Sequence, residues 1–300
     1  ATGGLVGELS VSQRNLFGTG QDVSLTYKRG VTAEGDPDES TWEVGYSTLA
    51  PQTEFDRISL NLYRTTEQVA ADGEGAADTY LTIGGRVQFD YPIGNYSDFT
   101  IGYRHDLERK LSETDWSPVD AVAFSIQEDS TDDILFPTRG LRQSASLEKA
   151  GGFAVGKEYT KVDLVWTRFV ALYDDLFFGL DHVLAFRLKG GLGDAGVTGS
   201  EMYQLGGPTT VRGADSAHVQ RMAVANVEHR LELTDGFLLT AFLDAGVDLE
   251  QISWDSIVAT TGLELGISAA GVYVRLDMAW RLGADGSWTP KFDIGFGPMF

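Results

Sequence analysis

The sequence reads as an all-β chain folded into a transmembrane antiparallel β-barrel, and three observations carry that reading. Apolar and polar residues alternate with a period of two along almost the whole chain. The polar face of that alternation carries full charges, among them Arg86, Asp90, Arg104, Arg275 and Asp277. No apolar run approaches the roughly 18 residues of a membrane-crossing helix. Successive side chains of a strand point to opposite faces, so each segment has one apolar and one polar face. Charged residues are almost never fully buried unpaired, which argues against a β-propeller, whose blades pack on both faces. A soluble lipocalin-like barrel closes with about eight strands, and about fifteen candidates are present here. An apolar outside around a charged, wet inside fits a membrane barrel; a large soluble β-protein is the other reading.

Taken in order, the first strand covers 4–13 and ends at a turn over 15–20. In the second (21–29), Val23, Leu25 and Tyr27 alternate with Ser24, Thr26 and Lys28. In the third (41–49), Trp42, Val44 and Tyr46 oppose Glu43, Gly45 and Ser47; in the fourth (55–68), Ile58, Leu60 and Leu62 oppose Ser59 and Asn61. The fifth (79–92) sets Leu81, Ile83, Val87, Phe89 and Tyr91 against Thr82, Arg86, Gln88 and Asp90. The sixth (98–110) sets Phe99, Ile101 and Tyr103 against Thr100, Gly102 and Arg104. Strands seven to ten cover 119–128, 141–150, 158–172 and 176–193. The eleventh (219–233) has Val224, Asn226, Glu228, Arg230 and Glu232 on its more polar face. In the twelfth (237–249), Asp244 faces away from Leu239, Ala241 and Leu243, and the thirteenth covers 257–266. The fourteenth (271–281) sets Val272, Val274, Leu276, Met278 and Trp280 against Tyr273, Arg275 and Asp277. The last (291–300) lines up Phe292, Ile294, Phe296, Pro298 and Phe300. Segments of this length match tilted strands crossing about 25–30 Å of hydrocarbon.

The connections alternate in length, which sets the topology. Long or polar ones lie near 282–290, 250–255, 194–216, 151–157, 111–118, 69–78 and 30–39, and short ones near 267–270, 234–236, 173–175, 94–96, 51–54 and 15–20. Outer-membrane barrels have short periplasmic turns and longer external loops. One connection, 129–140, is long on what should be the short side. With Phe300 in the periplasm, the first strand starts outside the cell and descends. Bacterial single-chain barrels have even strand numbers. Sixteen strands are therefore expected, fifteen of them within residues 1–300 as a single barrel domain, with the first strand upstream; an unrecognised internal strand is the competing explanation. The long loops hold Glu34, Asp36, Asp38, Glu39, Asp72, Glu74 and Asp78, read as solvated surface, with divalent-ion bridging as the sharper alternative.

Catalytic readings find little to stand on. A formal net charge of -21 argues against nucleic acid as a partner, because phosphate binding needs a basic face. With no cysteine there is no disulfide framework, thiolate metal site or thiol nucleophile. His105, His182, His218 and His229 are scattered without zinc-binding spacing, and no Gly-x-Ser-x-Gly elbow is present. Gly18-Thr19-Gly20 opens no helix and so is a turn rather than a phosphate cradle. The expectation is a protein without catalytic residues, metal site or cofactor. A Ser-His outer-membrane hydrolase is the remaining enzymatic alternative.

The most informative segment is the longest connection, 194–216, with Leu205-Gly206-Gly207-Pro208-Thr209-Thr210-Val211-Arg212-Gly213-Ala214 inside it. Long loops in compact domains are usually functional or disordered. Glu228 and Asp244 are the wall carboxylates placed to meet Arg212, since an acid at mid-depth belongs on the lumen side. A planar guanidinium binds carboxylates bidentately and would pin the loop inside the lumen. The other reading is an exposed Arg beside two unrelated acids.

Val211-Arg212-Gly213, followed about thirty residues later by Phe242-Leu243-Asp244-Ala245-Gly246, resembles the BamA superfamily of outer-membrane assembly and translocation barrels. Asn15-Leu16-Phe17-Gly18-Thr19-Gly20-Gln21 looks like the turn closing that family's second strand. Phe136-Pro137-Thr138-Arg139-Gly140 resembles a family periplasmic turn, which accounts for the long connection at 129–140, and Phe300 fits its terminal targeting strand. The resemblance covers nearly the whole chain and is closest to the assembly branch. It implies a multi-pass bacterial outer-membrane barrel of sixteen strands, preceded by periplasmic POTRA domains that residues 1–300 do not contain. It also implies contact of Arg212 with Glu228 and Asp244. Ala214 departs from the family, where an aromatic follows the Gly.

The function implied is folding and insertion of β-barrel proteins. Unfolded outer-membrane proteins are the clients, the lipid bilayer is the medium, and periplasmic lipoproteins are accessory partners. Clients would enter through a weak seam between first and last strands. Phe292, Ile294, Gly295, Phe296, Gly297, Pro298 and Phe300 form the last strand's side of that seam. Pro298 lacks an amide donor and suits an edge, and Gly295 and Gly297 add flexibility. The bland alternative is that the glycines face a crowded lumen. A two-partner secretion pore of the same superfamily and a passive porin are the rival functions.

Overall fold

The computed structural model describes residues 5–31, 37–50, 55–69, 78–134, 136–152, 156–172, 182–234, 236–253, 256–269, 272–282, 288–297 and 299–300. The first strands are β1 (Leu5–Leu16), β2 (Gln21–Val31), β3 (Pro37–Leu49), β4 (Arg57–Val69), β5 (Asp78–Pro92) and β6 (Ser97–Lys110). They continue as β7 (Ser117–Asp129), β8 (Gly140–Ala150), β9 (Tyr159–Leu172) and β10 (His182–Gly193). A small hairpin, β11 (Tyr203–Leu205) and β12 (Ala217–Val219), lies in the long connection. The wall resumes with β13 (Arg221–Thr234), β14 (Phe237–Asp248), β15 (Val258–Ala269), β16 (Val272–Leu282) and β17 (Trp288–Phe296).

Fifteen strands form one sheet in chain order, β1 to β10 and then β13 to β17, while β11 and β12 pair only with each other. Neighbours are antiparallel with few register breaks; β13 and β14 slip once, between Glu232 and Thr234, and set Asn226 opposite Asp244. The sheet curls round as a barrel until Cα atoms of β1 and β17 come within 8 Å. Among the described residues no hydrogen-bonded ladder joins those two strands.

Burial is inverted relative to a soluble protein. Buried side chains include Asp106, Glu108, Arg187, Glu228, Arg230, Asp244, Glu264, Arg275 and Asp277, whereas Leu9, Leu25, Trp42, Leu62, Leu188, Leu243 and Phe292 are exposed. The alternation predicted this: along β13, Met222, Val224, Asn226, Glu228 and Arg230 are the buried set. Lipid replaces water as the solvent for the apolar face, so exposed leucine carries no penalty there.

Two turns at one end of the barrel explain how the wall is held there. In the 15–20 turn, Asn15 and Phe17 adopt φ of 51° and 55°. Asn15 tolerates this left-handed geometry, and its side-chain oxygen accepts the Gly20 N–H at 2.8 Å. The 129–140 connection is long because it folds beneath the lumen, setting Phe136 against Tyr273 at 5.2 Å between ring centroids. Asp132 organises it, accepting the amides of Thr138 at 2.8 Å and Arg139 at 3.1 Å. Burial pushes the Asp132 carboxyl up, but the Thr138 hydroxyl and the Arg139 and Thr138 amides outweigh it and bring it down to about 2.

Three expectations need correction. The last strand begins at Trp288 rather than 291 and ends at Phe296 rather than 300. Phe292 and Ile294 face outward as expected, but Phe300 does not continue that face. Gly297 takes φ 77°, a left-handed geometry that breaks the alternation, and its N–H donates to Tyr273 O at 3.0 Å. Beyond it Met299 is buried, and Phe300 packs beside Phe169, Val183 and Ala185 inside the barrel. Of the two readings of Gly295, the crowded lumen is the one the packing favours, because a Cβ there would sit 3.0 Å from Arg275 Nη2. Finally, Asp38 and Glu39 lie in β3 rather than in a loop, and Asp78, which opens β5, accepts Lys110 Nζ at 2.8 Å. Glu34, Asp36, Asp72, Glu74, Pro298 and the 173–175 turn lie outside the described residues.

Candidate functional site

The connection between β10 and β13 folds into the lumen. Gly206 and Gly207 adopt φ of 92° and 85°, and Gly207 N–H donates to Ala214 O at 3.1 Å. Thr210 Oγ1 closes the same bend on Gly206 O at 2.8 Å. This bend presents Arg212 to the wall. Val211 docks in an apolar cluster with Tyr203, Leu205, Ala214, Val219, Met222 and Val224. Room for it comes from Gly246, where a Cβ would lie 2.8 Å from Val211 Cγ2. Ala214, the departure from the family pattern, is simply a small buried member of that cluster.

Arg212 is fully buried and sits between three carboxylates. Its Nε and Nη2 donate to Asp244 Oδ2 at 2.8 Å and Oδ1 at 2.9 Å, a bidentate fork, and its own backbone N–H donates to Oδ2 at 3.1 Å. Nη1 donates to Glu264 Oε2 at 3.0 Å and lies 2.8 Å from Glu228 Oε1, the latter an ion pair without hydrogen-bond geometry. The guanidinium also stacks 3.7 Å from the Phe242 ring centroid. Asn226 Nδ2 bonds Asp244 Oδ1 at 2.8 Å, and Arg230 Nε bonds Glu228 Oε2 at 2.7 Å. The oxygens of Asp244 and Glu228 thus each have a cationic partner, and Glu264 adds the Tyr273 hydroxyl at 3.1 Å to its bond with Arg212, the condition under which a buried charge is tolerable. Glu264, absent from the residues singled out by sequence, is a full member. Its signal was available, since Glu264 stands between Leu263 and Leu265 just as Asp244 stands between Leu243 and Ala245.

A second anchor with reversed sign holds the other end of the loop on the far wall. Glu201, in the short 3-10 turn Gly199–Glu201, accepts Arg104 Nη2 at 3.0 Å and lies 3.7 Å from Lys161 Nζ. Ser200 and Lys157 both bond Glu108. A third set ties the loop to the last strands. Arg275 Nη2 donates to Pro208 O at 2.6 Å, Gly213 packs on Ala279, and Asp215 pairs with Arg281 at 3.2 Å and Lys291 at 3.1 Å. The loop therefore spans the lumen as a strut. Among the described residues no group of three or more His, Asp or Glu side chains is placed to hold a metal ion.

A model of the Omp85 superfamily domain matches residues 15–297. A curated relative, the outer membrane protein assembly factor BamA of Nitratidesulfovibrio vulgaris, is 25% identical over 336 residues, covering 97% of this chain. The chain spans 39% of that relative's length. The crystal structure of BamA from Haemophilus ducreyi lacking POTRA domains 1–3 superposes with a TM-score of 0.71 at 14% identity, over 98% of this chain and 71% of that one. CdiB from Acinetobacter baumannii superposes with a TM-score of 0.66 at 13% identity, over 98% and 56%. The barrel, its lumen strut and the family match agree: the chain belongs to the Omp85 superfamily and is a multi-pass outer-membrane β-barrel.

Proposed function

We propose that this barrel belongs to an outer-membrane protein assembly factor, which folds and inserts client β-barrel proteins without an active site, metal or cofactor. The observation that carries the proposal is the edge of β17, hydrogen-bonded to β16 alone among the described residues. An unpaired strand edge is a template for an incoming strand. The relative named as an assembly factor supports the same role. POTRA domains and a first strand upstream of residue 1, and periplasmic lipoprotein partners, belong to the proposal. The strut counts against a passive porin, because Thr210, Val211 and Arg212 are buried inside the lumen rather than lining an open channel.

Depleting the protein tests this. Loss of many outer-membrane proteins together is the expected result. Loss of one secreted client points instead to a secretion pore, and loss of solute uptake alone to a porin.

A further inference from the structure

The lumen strut and the end of the last strand meet at one side chain that neither belongs to. Arg187, on β10, is buried and aims its fork across the lumen. Nε donates to Asn226 Oδ1 at 2.9 Å, Nη2 to Thr209 O of the strut at 3.0 Å, and Nη1 to Met299 O at 3.1 Å. Its Cζ also lies 4.9 Å from the Phe300 ring centroid. Asn226 in turn donates to Thr210 O and to Asp244 Oδ1, each at 2.8 Å, and Asp244 holds Arg212. A continuous buried hydrogen-bond path therefore runs Arg212, Asp244, Asn226, Arg187, Met299.

We propose that Arg187 is a positioning residue that couples the seating of the lumen strut to the placement of Met299 and Phe300 after the last strand. The physical reason lies in the guanidinium's fixed fork. Its nitrogens address three segments in one plane, so moving one acceptor tilts the others out of alignment. Unseating the strut removes Thr209 O and leaves a buried donor unsatisfied on the very group that holds Met299 O. Arg230 supplies a second, parallel link, bonding Phe300 O at 3.0 Å while pairing with Glu228, which itself lies 2.8 Å from Arg212; Met299 O is left to Arg187. The coupling goes beyond the assembly reading and stands or falls independently of it, because its test reads conformation and not client insertion.

The test is hydrogen exchange by mass spectrometry on the full-length protein in lipid nanodiscs, comparing segments 206–214 and 297–300. Arg187→Gln and Arg187→Lys are expected to speed exchange about tenfold or more in both segments, leaving β13 and β14 amides unchanged. Lysine keeps the charge but not the fork, so it should fail to rescue. Arg212→Lys, which touches neither Met299 nor Phe300, is expected to speed exchange at 297–300 when Arg187 is present and to do so far less in the Arg187→Gln background, where only the link through Glu228 and Arg230 remains. If Arg187→Gln does not fold, Arg187→Lys, which keeps the charge but not the fork, is the background against which the Arg212→Lys effect is read. Acceleration at 206–214 with no change at 297–300 overturns the coupling. An Arg212→Lys effect of equal size with and without Arg187 overturns it too.

Discussion

Replacing Arg212 with alanine is the perturbation whose outcome is best defined by the structure. The substitution removes the fork to Asp244, the bond to Glu264 and the ion pair to Glu228, and leaves three buried carboxylates facing a void. Removing one partner of a buried ion pair costs about 3–5 kcal/mol. Loss of the stack on Phe242 adds about 0.5–2 kcal/mol. These losses do not accumulate without limit, because the strut can leave the lumen and let water reach the acids. The total is capped by the free energy of undocking the strut, so about 3–5 kcal/mol is the expected loss. The assay is urea unfolding of the protein in lipid vesicles, read by the mobility difference between folded and unfolded barrels on a gel. Asp244→Ala should also destabilise, and the double variant should be no worse than the worse single. Additivity within about 0.5 kcal/mol, or an Arg212→Ala effect smaller than that, refutes the pairing as an energetic unit.

The other predictions concern the remaining anchors. Glu201→Gln leaves Arg104 and Lys161 without their loop carboxylate and should raise protease sensitivity around 194–205 while Arg212 stays docked. Swapping charges as Asp215→Lys with Lys291→Asp should restore stability lost in either single change, by about 0.2–1 kcal/mol, because the pair is partly exposed. The 129–140 turn should lose order in acid. The Asp132 carboxyl is depressed from 3.8 to about 2 on folding, so its contribution is full above about pH 4 and lost as pH falls through about 2. Asp132→Asn should reproduce the acid state at neutral pH, as read by exchange at the amides of Thr138 and Arg139.

Most of the wall was legible because period-two alternation is a property of neighbouring residues. β2 begins at Gln21 and β14 at Phe237, as the pattern predicts, and the buried face of β13 is the expected one from Val224 to Arg230, whereas Glu232 is exposed. Asp244 was legible by the same parity, and Glu264 would have been had parity been applied to every acid. What parity cannot supply is register across the lumen. Arg104 and Glu201 are 97 residues apart and meet only because the strut crosses the barrel. β11 and β12 are three residues each, too short for a periodic signal, and depend on the pairing of Tyr203 with Val219. Phe300 misled because alternation assumes a regular strand, and the left-handed φ of Gly297 ends that regularity. The charge of -21 was useful only to exclude nucleic acid. Where its lumen members lie, it is the loop's Arg212 and Glu201, of opposite sign, that give the interior its order.

On the proposed function, clients meet this protein at the edge of β17 rather than in the lumen. The chain has no cysteine, so single cysteines report cleanly. One belongs at Phe292 or Ile294 on β17, and a second, separate one at Gln88 or Ser125, which line a lumen cavity of about 210 Å³. An arrested outer-membrane protein client carrying its own cysteine should form disulfides with the β17 positions and not with the lumen positions. Crosslinks confined to Gln88 and Ser125 would contradict the account and point to passage through the pore.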